Sequence, residues 1–205
     1  MYLSKIYLNR GKRETARAFY NPQIFHGALE NCFRGERQHP LWRIDGDGIR
    51  NFMLVVSRDI PDFSAFQEAF GYDDRPAITK DYETFLEKGF RDGDILRFHL
   101  AANPTIKIAG KRIPLNKKGT DKYPYSAVDW AKDRLKKHGA EVVEVQLSSY
   151  KEKTATGNGR KMYYVMAEYD GILRVIDKNE FALALAKGIG HEKAYGCGMI
   201  SVMHV

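Results

Sequence analysis

The sequence predicts an α+β protein built from two tandem ferredoxin-like domains, and two observations predict it. The first half reads as strand, helix, strand, strand, helix, strand, and the second half starts over as helix, three strands, helix, strand. Between them, residues 105–124 are lysine-rich, contain Gly110, Pro114, Gly119 and Pro124, and show little apolar periodicity. That stretch reads as a basic linker between an N-terminal domain at 1–104 and a C-terminal domain at 125–205.

Each element has a local reason. Residues 2–9 alternate as a strand, with Tyr2, Ile6 and Leu8 facing one way and Leu3, Lys5 and Tyr7 the other. Asn21-Pro22 starts a helix, because proline tolerates the first turn and asparagine can cap it. Ile24, Leu29, Cys32 and Phe33 then form its apolar stripe, which ends near Gly35. His39–Asp45 and Asn51–Arg58 are strands joined by the Asp-Gly-Asp-Gly turn at 45–48. Asp62 can cap a second helix carrying Phe63, Phe66, Ala69 and Phe70, and a strand at Ile95–Leu100 completes the first domain. In the second half, Ala127–His138 is an amphipathic helix with Lys132, Lys136 and Lys137 on its exposed face. A strand at Val142–Leu147 follows. Met162–Tyr169 then pairs with Ile172–Ile176 across an Asp170-Gly171 turn, before a helix at Asn179–Lys187 and a strand at Gly198–Val205.

The 205 residues carry a formal net charge of +7, a balance that favours polyanionic partners such as nucleic acid. No apolar run approaches the roughly 20 residues of a transmembrane helix. The opening MYLSKIYLNR is too polar for a secretory signal, so the expected location is the cytoplasm. Cys32 and Cys197 cannot form a disulfide framework or a four-ligand zinc site, and read as small buried apolar residues.

Four segments carry a family resemblance. The run Gly188-Ile189-Gly190-His191-Glu192-Lys193-Ala194-Tyr195-Gly196-Cys197-Gly198-Met199-Ile200-Ser201 is similar to the C-terminal signature of the Cas6e (CasE) family. MYLSK at the start, Arg97–Pro104 ending in Ala-Asn-Pro, and Lys111-Arg112-Ile113-Pro114-Leu115 resemble the same family in order and spacing. The resemblance spans the chain from first residue to last. It implies ferredoxin-like domains of the RRM-like, RAMP kind. It also implies a metal-independent endoribonuclease that takes the stem-loop of a CRISPR repeat, cuts at the 3′ base of the stem and keeps the mature crRNA. The partners implied are the repeat hairpin and other subunits of a type I-E Cascade complex, above all the neighbouring Cas7-type backbone subunit, with no cofactor and no membrane.

Metal-free RNA cleavage drives a 2′-hydroxyl onto the adjacent phosphorus, so one group must take a proton and another must give one. Histidine suits either task because its unperturbed pKa lies near neutrality. His26 follows Phe25 in the first predicted helix, where the family carries its active-site histidine. Family members often place a tyrosine three positions earlier, and this chain has Gln23 there. Glutamine can hold a phosphate or hydroxyl but cannot act as a base. Tyr20, six residues before His26, is an alternative phenol. Arg34 and Lys193 are candidates for stabilising the phosphorane, Lys193 because surrounding glycines would let backbone N–H groups approach a phosphate. The expected RNA-binding set is Arg34, Lys132, Lys136, Lys137, Lys151, Lys153, Arg160, Lys161 and Lys193. It draws on two flexible basic segments, Lys107–Lys122 and Lys151–Lys161, suited to the phosphate walls of double-stranded RNA. Arg160 could also read a guanine edge. Asp45 with Asp47, and Asp73 with Asp74, read as turn formers rather than metal ligands. A second reading, kept open by Gln23, is a non-catalytic subunit that only caps the guide's 3′ hairpin.

Overall fold

The computed structural model describes residues 1–122, 124–157 and 160–205, with side chains left out at 155–157 and 160–162. The first sheet contains β1 (Tyr2–Leu8), β2 (Leu41–Gly46), β3 (Asn51–Ser57) and β4 (Ile78–Asp81), all antiparallel in the order β2-β3-β1-β4. Helices α1 (Arg13–Tyr20), α2 (Gln23–Glu30) and α3 (Ser64–Phe70) belong to this unit, and α4 (Glu83–Lys88) follows it. The second sheet contains β5 (Ile95–Ala102), β8 (Ala140–Gly157), β9 (Arg160–Val175) and β10 (Ile200–His204), in the order β10-β5-β9-β8. Between β5 and β8 lie a small hairpin, β6 (Thr105–Ile108) with β7 (Lys111–Pro114), and α5 (Ala127–Lys137); α6 (Lys178–Lys187) precedes β10. Each sheet has the ferredoxin-like order, so the predicted fold class holds.

Periodicity explains the cores. Ser4, Ile6 and Leu8 of β1 are buried on one face, and Ile6 and Leu8 pack with Phe25, Leu29, Trp42, Met53 and Phe66. The opposite face of the sheet is covered too: Leu41 and Val56 are buried in the second core beside Phe98, Leu100 and Met199. The two units therefore share apolar surface, which at roughly 25 cal/mol per Å² favours their staying together.

Arg43 on β2 ties them further. Its guanidinium makes two 2.6 Å bonds to Asp45, donates to the carbonyls of His99 at 3.0 Å and Met199 at 3.1 Å, and donates to Ser201 Oγ at 2.8 Å. Asp45 is thus an ion-pair partner, while Asp47 accepts the N–H groups of Ile49 and Arg50 as a turn former does. Both cysteine thiols are buried. Among the described residues, no helix is long and apolar enough to cross a membrane.

Several elements differ from the sequence reading. Helix α1 was not expected at all. Helix α2 stops at Glu30 rather than near Gly35, because Cys32 and Phe33 donate to Leu29 and Glu30, three residues back, and tighten the chain out of α geometry. The strand at Ile95–Leu100 joins the second sheet, since the free edge of β1 is taken by β4. Its apolar residues Leu96, Phe98 and Leu100 all enter the second core. The first sheet is complete by residue 81 and the second opens at 95, so the 105–124 stretch lies inside the span of the second sheet. That stretch is anchored as well: Leu115 is buried, its N–H donates to Pro104 at 2.9 Å, and its carbonyl accepts from Tyr150 at 2.8 Å.

The largest difference is the hairpin. Strand β9 runs unbroken through Asp170-Gly171 and pairs with β8 as far as Gly157↔Arg160, so the described residues of the basic segment, 151–157 and 160–161, are strand rather than loose loop. Gly171 is needed for close approach instead of turning, because a Cβ there would lie 2.1 Å from the Glu144 carbonyl oxygen. Strand β8 has a register irregularity between Val142 and Glu144, opposite that point.

Candidate active site

Helix α2 holds the candidate histidine through the residue beside it. Phe25 is fully buried, with ring centroids 5.1 Å from Phe70, 6.1 Å from Trp42 and 6.2 Å from Phe66. Asn21 Oδ1 accepts the Gln23 N–H at 3.3 Å and fixes the first turn. With that face locked, the neighbouring His26 has a side chain 21% exposed. Its Nδ1 is buried without a hydrogen-bond partner among the described residues, and its Nε2 lies 3.9 Å from Glu30 Oε1 one turn later. His39, in the loop before β2, places Nδ1 3.1 Å from the same Glu30 oxygen.

Burial holds the His26 imidazole below its ordinary pKa of 6.5; Glu30 pulls upward, and His39 and Arg37 push down again. At neutral pH the ring is therefore mostly uncharged and can take a proton. Gln23 sits one turn earlier on the same helix, partly buried. Tyr20 ends α1 and is 91% exposed.

A cleft of about 300 Å³ opens beside this helix, lined by Phe25 of α2 and Pro22 just before it, by Arg10 before α1, and by Lys151 and Lys153 of β8. His26 lies outside the lining, on the same helix. Arg43, Ile44, Asn51, Lys151 and Glu168 also line a second groove of about 540 Å³ between the two sheets, which reaches His99 and Asp170. His99 Nδ1 meets Asp170 Oδ1 at 2.6 Å.

The structure gathers some of the expected RNA contacts and separates others. Lys151 is exposed and Lys153 partly buried, and both face the cleft. Lys132, Lys136 and Lys137 are exposed on α5. Arg34 is exposed in the loop after α2. The side chains of Arg160 and Lys161 lie outside the described residues, although their backbones pair at the end of the β8–β9 ribbon. Lys193 is spoken for: it is partly buried, and its ammonium donates to the Lys187 carbonyl at 2.6 Å, satisfying the C-terminal end of α6.

The glycine run also packs rather than cradles. Gly196 has φ +81°, and a Cβ there would come within 3.0 Å of the Trp42 ring. The N–H groups of Ile189, Tyr195, Gly196, Cys197 and Gly198 already donate to backbone carbonyls. This run seats the 3-10 turn Lys193–Tyr195 against α2 and β2, which fixes the helix carrying His26.

Three residues escaped the sequence reading. Glu30 was signalled only by its spacing of four from His26. His39 and Arg10 had no local signal, since folding alone brings them to α2.

A family model described as CRISPR associated protein matches residues 1–204. The CRISPR-associated endoribonuclease Cse3 of Thermus thermophilus is 28% identical over 222 residues, covering 98% of this chain and 99% of that protein. A solved structure of Thermus thermophilus Cse3 bound to an RNA representing a pre-cleavage complex aligns with a TM-score of 0.82 at 26% identity, covering 98% of each chain. Cas6e from Escherichia coli K-12 aligns over both full lengths with a TM-score of 0.69 at 22% identity, a likeness of fold. Matched across both sheets and the glycine run, the chain belongs to the CRISPR-associated protein family whose model spans residues 1–204.

Proposed function

We propose that the protein is a metal-independent endoribonuclease that binds the stem-loop of a CRISPR repeat and cuts precursor CRISPR RNA at the 3′ base of the stem. The observation that carries this reading is His26: an imidazole kept uncharged by burial, fixed by the Phe25 cluster, on a helix that borders a basic cleft. The comparisons support it, since a relative of full-length similarity is an endoribonuclease and a solved relative is bound to RNA.

The chemistry follows from the groups present. Neutral His26 removes the proton of the 2′-hydroxyl through Nε2, because Nδ1 is buried. The 2′-oxygen attacks phosphorus, the P–O5′ bond breaks, the departing O5′ takes a proton from water while His26 later returns its own to solvent, and the products are a 2′,3′-cyclic phosphate and a 5′-hydroxyl. The Gln23 amide donates to a phosphate oxygen and orients it, while Arg10, Lys151 and Lys153 supply positive charge across the cleft. The double-stranded stem is held through its phosphates by the α5 lysines and the β8–β9 ribbon. After cleavage the hairpin product stays bound, and the protein serves as a subunit of a cytoplasmic Cascade complex beside a Cas7-type neighbour.

The deciding experiment incubates purified protein with labelled repeat RNA. Cleavage persists in excess EDTA, is lost when the attacking 2′-hydroxyl is replaced by hydrogen, and slows by about 10²–10⁴-fold in His26→Ala with hairpin binding retained. A strict requirement for added magnesium contradicts the reading. A second reading, a hairpin-capping subunit without catalysis, is favoured by Gln23 standing where the family has tyrosine; tight binding with no product at any enzyme concentration would select it.

A further inference from the structure

The loop between α2 and β2 completes a cluster around His26 whose other two members, Glu30 and His39, have no part in the proposed cleavage. The Glu30 side chain is only 11% exposed, and among the described residues neither of its carboxylate oxygens accepts a hydrogen bond. Two imidazoles approach one of those oxygens, His26 Nε2 at 3.9 Å and His39 Nδ1 at 3.1 Å. One donor atom from each residue lies within 4.8 Å of the other two. His39 reaches this place with φ at +49°, a left-handed backbone that a non-glycine residue adopts only where its surroundings impose it. A carboxylate this buried and without hydrogen-bond donors calls for a cationic partner.

We propose that His26, Glu30 and His39 form a binding site for a divalent transition-metal ion of the zinc type, and that filling it switches the histidine off. Two imidazoles and one carboxylate are a donor set that zinc takes at about 2.0–2.2 Å, leaving a fourth position for water. Ligand atoms around such an ion stand about 3.3 Å apart, a spacing that the 3.1 and 3.9 Å separations bracket. The exposed His39 side chain, at 71%, gives the ion an entry from solvent and can close onto it. The mixed nitrogen and oxygen set disfavours magnesium and calcium, which take oxygen ligands. A metal on His26 Nε2 occupies the lone pair that would accept the substrate's proton, so the ion inhibits. The binding claim stands independently of the proposed activity; the inhibition claim rests on it.

The test uses metal-free full-length protein. Cobalt(II) is titrated while its visible d–d absorption is followed, and zinc is then added in competition. Wild type develops tetrahedral-type bands that zinc displaces. His39→Ala and Glu30→Gln weaken binding by about 100-fold or more, beyond the roughly 10–100-fold lost with an outer-sphere partner. Zinc also slows cleavage by wild type, chelator restores it, and His39→Ala cleaves at the same rate with or without zinc. No bands, or equal affinity in wild type and both variants, overturns the site. Binding as described without inhibition keeps the site and removes His26 from the cleavage step.

Discussion

Replacing Arg43 by methionine keeps the aliphatic stem and removes the guanidinium that holds the two sheets to one another. The Arg43 side chain is 4% exposed and that of Asp45 18%. The change leaves the Asp45 carboxylate without its bidentate partner and takes a donor from the carbonyls of His99 and Met199. Breaking a buried pair by removing one member costs about 3–5 kcal/mol, chiefly because the remaining charge is stranded. In a chain of this length that lowers Tm by about 6–20 °C. Thermal unfolding followed by circular dichroism, with urea titration alongside, measures it. The double variant Arg43→Met with Asp45→Asn recovers part of the loss, since no uncompensated charge remains. A single-variant cost below about 1 kcal/mol would refute the reasoning and show that apolar contact alone holds the units together.

Other outcomes follow from the same geometry. With its pKa held below 6.5 by burial, His26 stays a base into mildly acidic solution, so the acid limb of single-turnover cleavage in EDTA has its midpoint below that value. Stability has the same sign: the unfolded chain takes up the His26 proton first, so the native state loses stability as pH falls through 6.5 and below. A limb centred above 6.5 contradicts both. Arg160→Ala with Lys161→Ala weakens hairpin binding more than it slows cleavage of bound RNA, and makes the salt slope shallower by about one to two. Filter binding across a salt series decides that; an unchanged slope places the ribbon's end away from RNA. Gly171→Ala forces a methyl against the Glu144 carbonyl oxygen and destabilises by about 1–3 kcal/mol, as overpacking does, without altering the pH limb.

The strand β1 and the helix α5 were legible because each repeats its inward residues at its own period, and β3 because it is a short unbroken apolar run bounded by turn residues. Strand β5 was legible as a strand, but not its sheet, because alternation says which residues face inward and nothing about which neighbour supplies the hydrogen bonds. Asp170-Gly171 misled for a similar reason: the same glycine that permits a turn also permits close approach, and only the Glu144 carbonyl opposite decides between them. At the site, His26 was visible through the segment resembling a family. Its companions were not, since His39 comes to Glu30 across a loop and Arg10 comes to the cleft from before α1. The glycine run shows a resemblance identifying a segment correctly while its physical work differs from that assumed: its close approach at Gly196 is to an indole.

The ribbon formed by β8 and β9 outruns the rest of its sheet, because β5 pairs with β9 only over Ala167–Arg174 while β8 accompanies it out to Gly157↔Arg160. Past Tyr164, the last pairs reach outward by about 13 Å at some 3.3 Å per residue. A stretch whose described backbone pairs only within its own two strands is insulated from the cooperative unfolding of the body. Point changes, insertions and deletions there can accumulate over generations at little risk to folding.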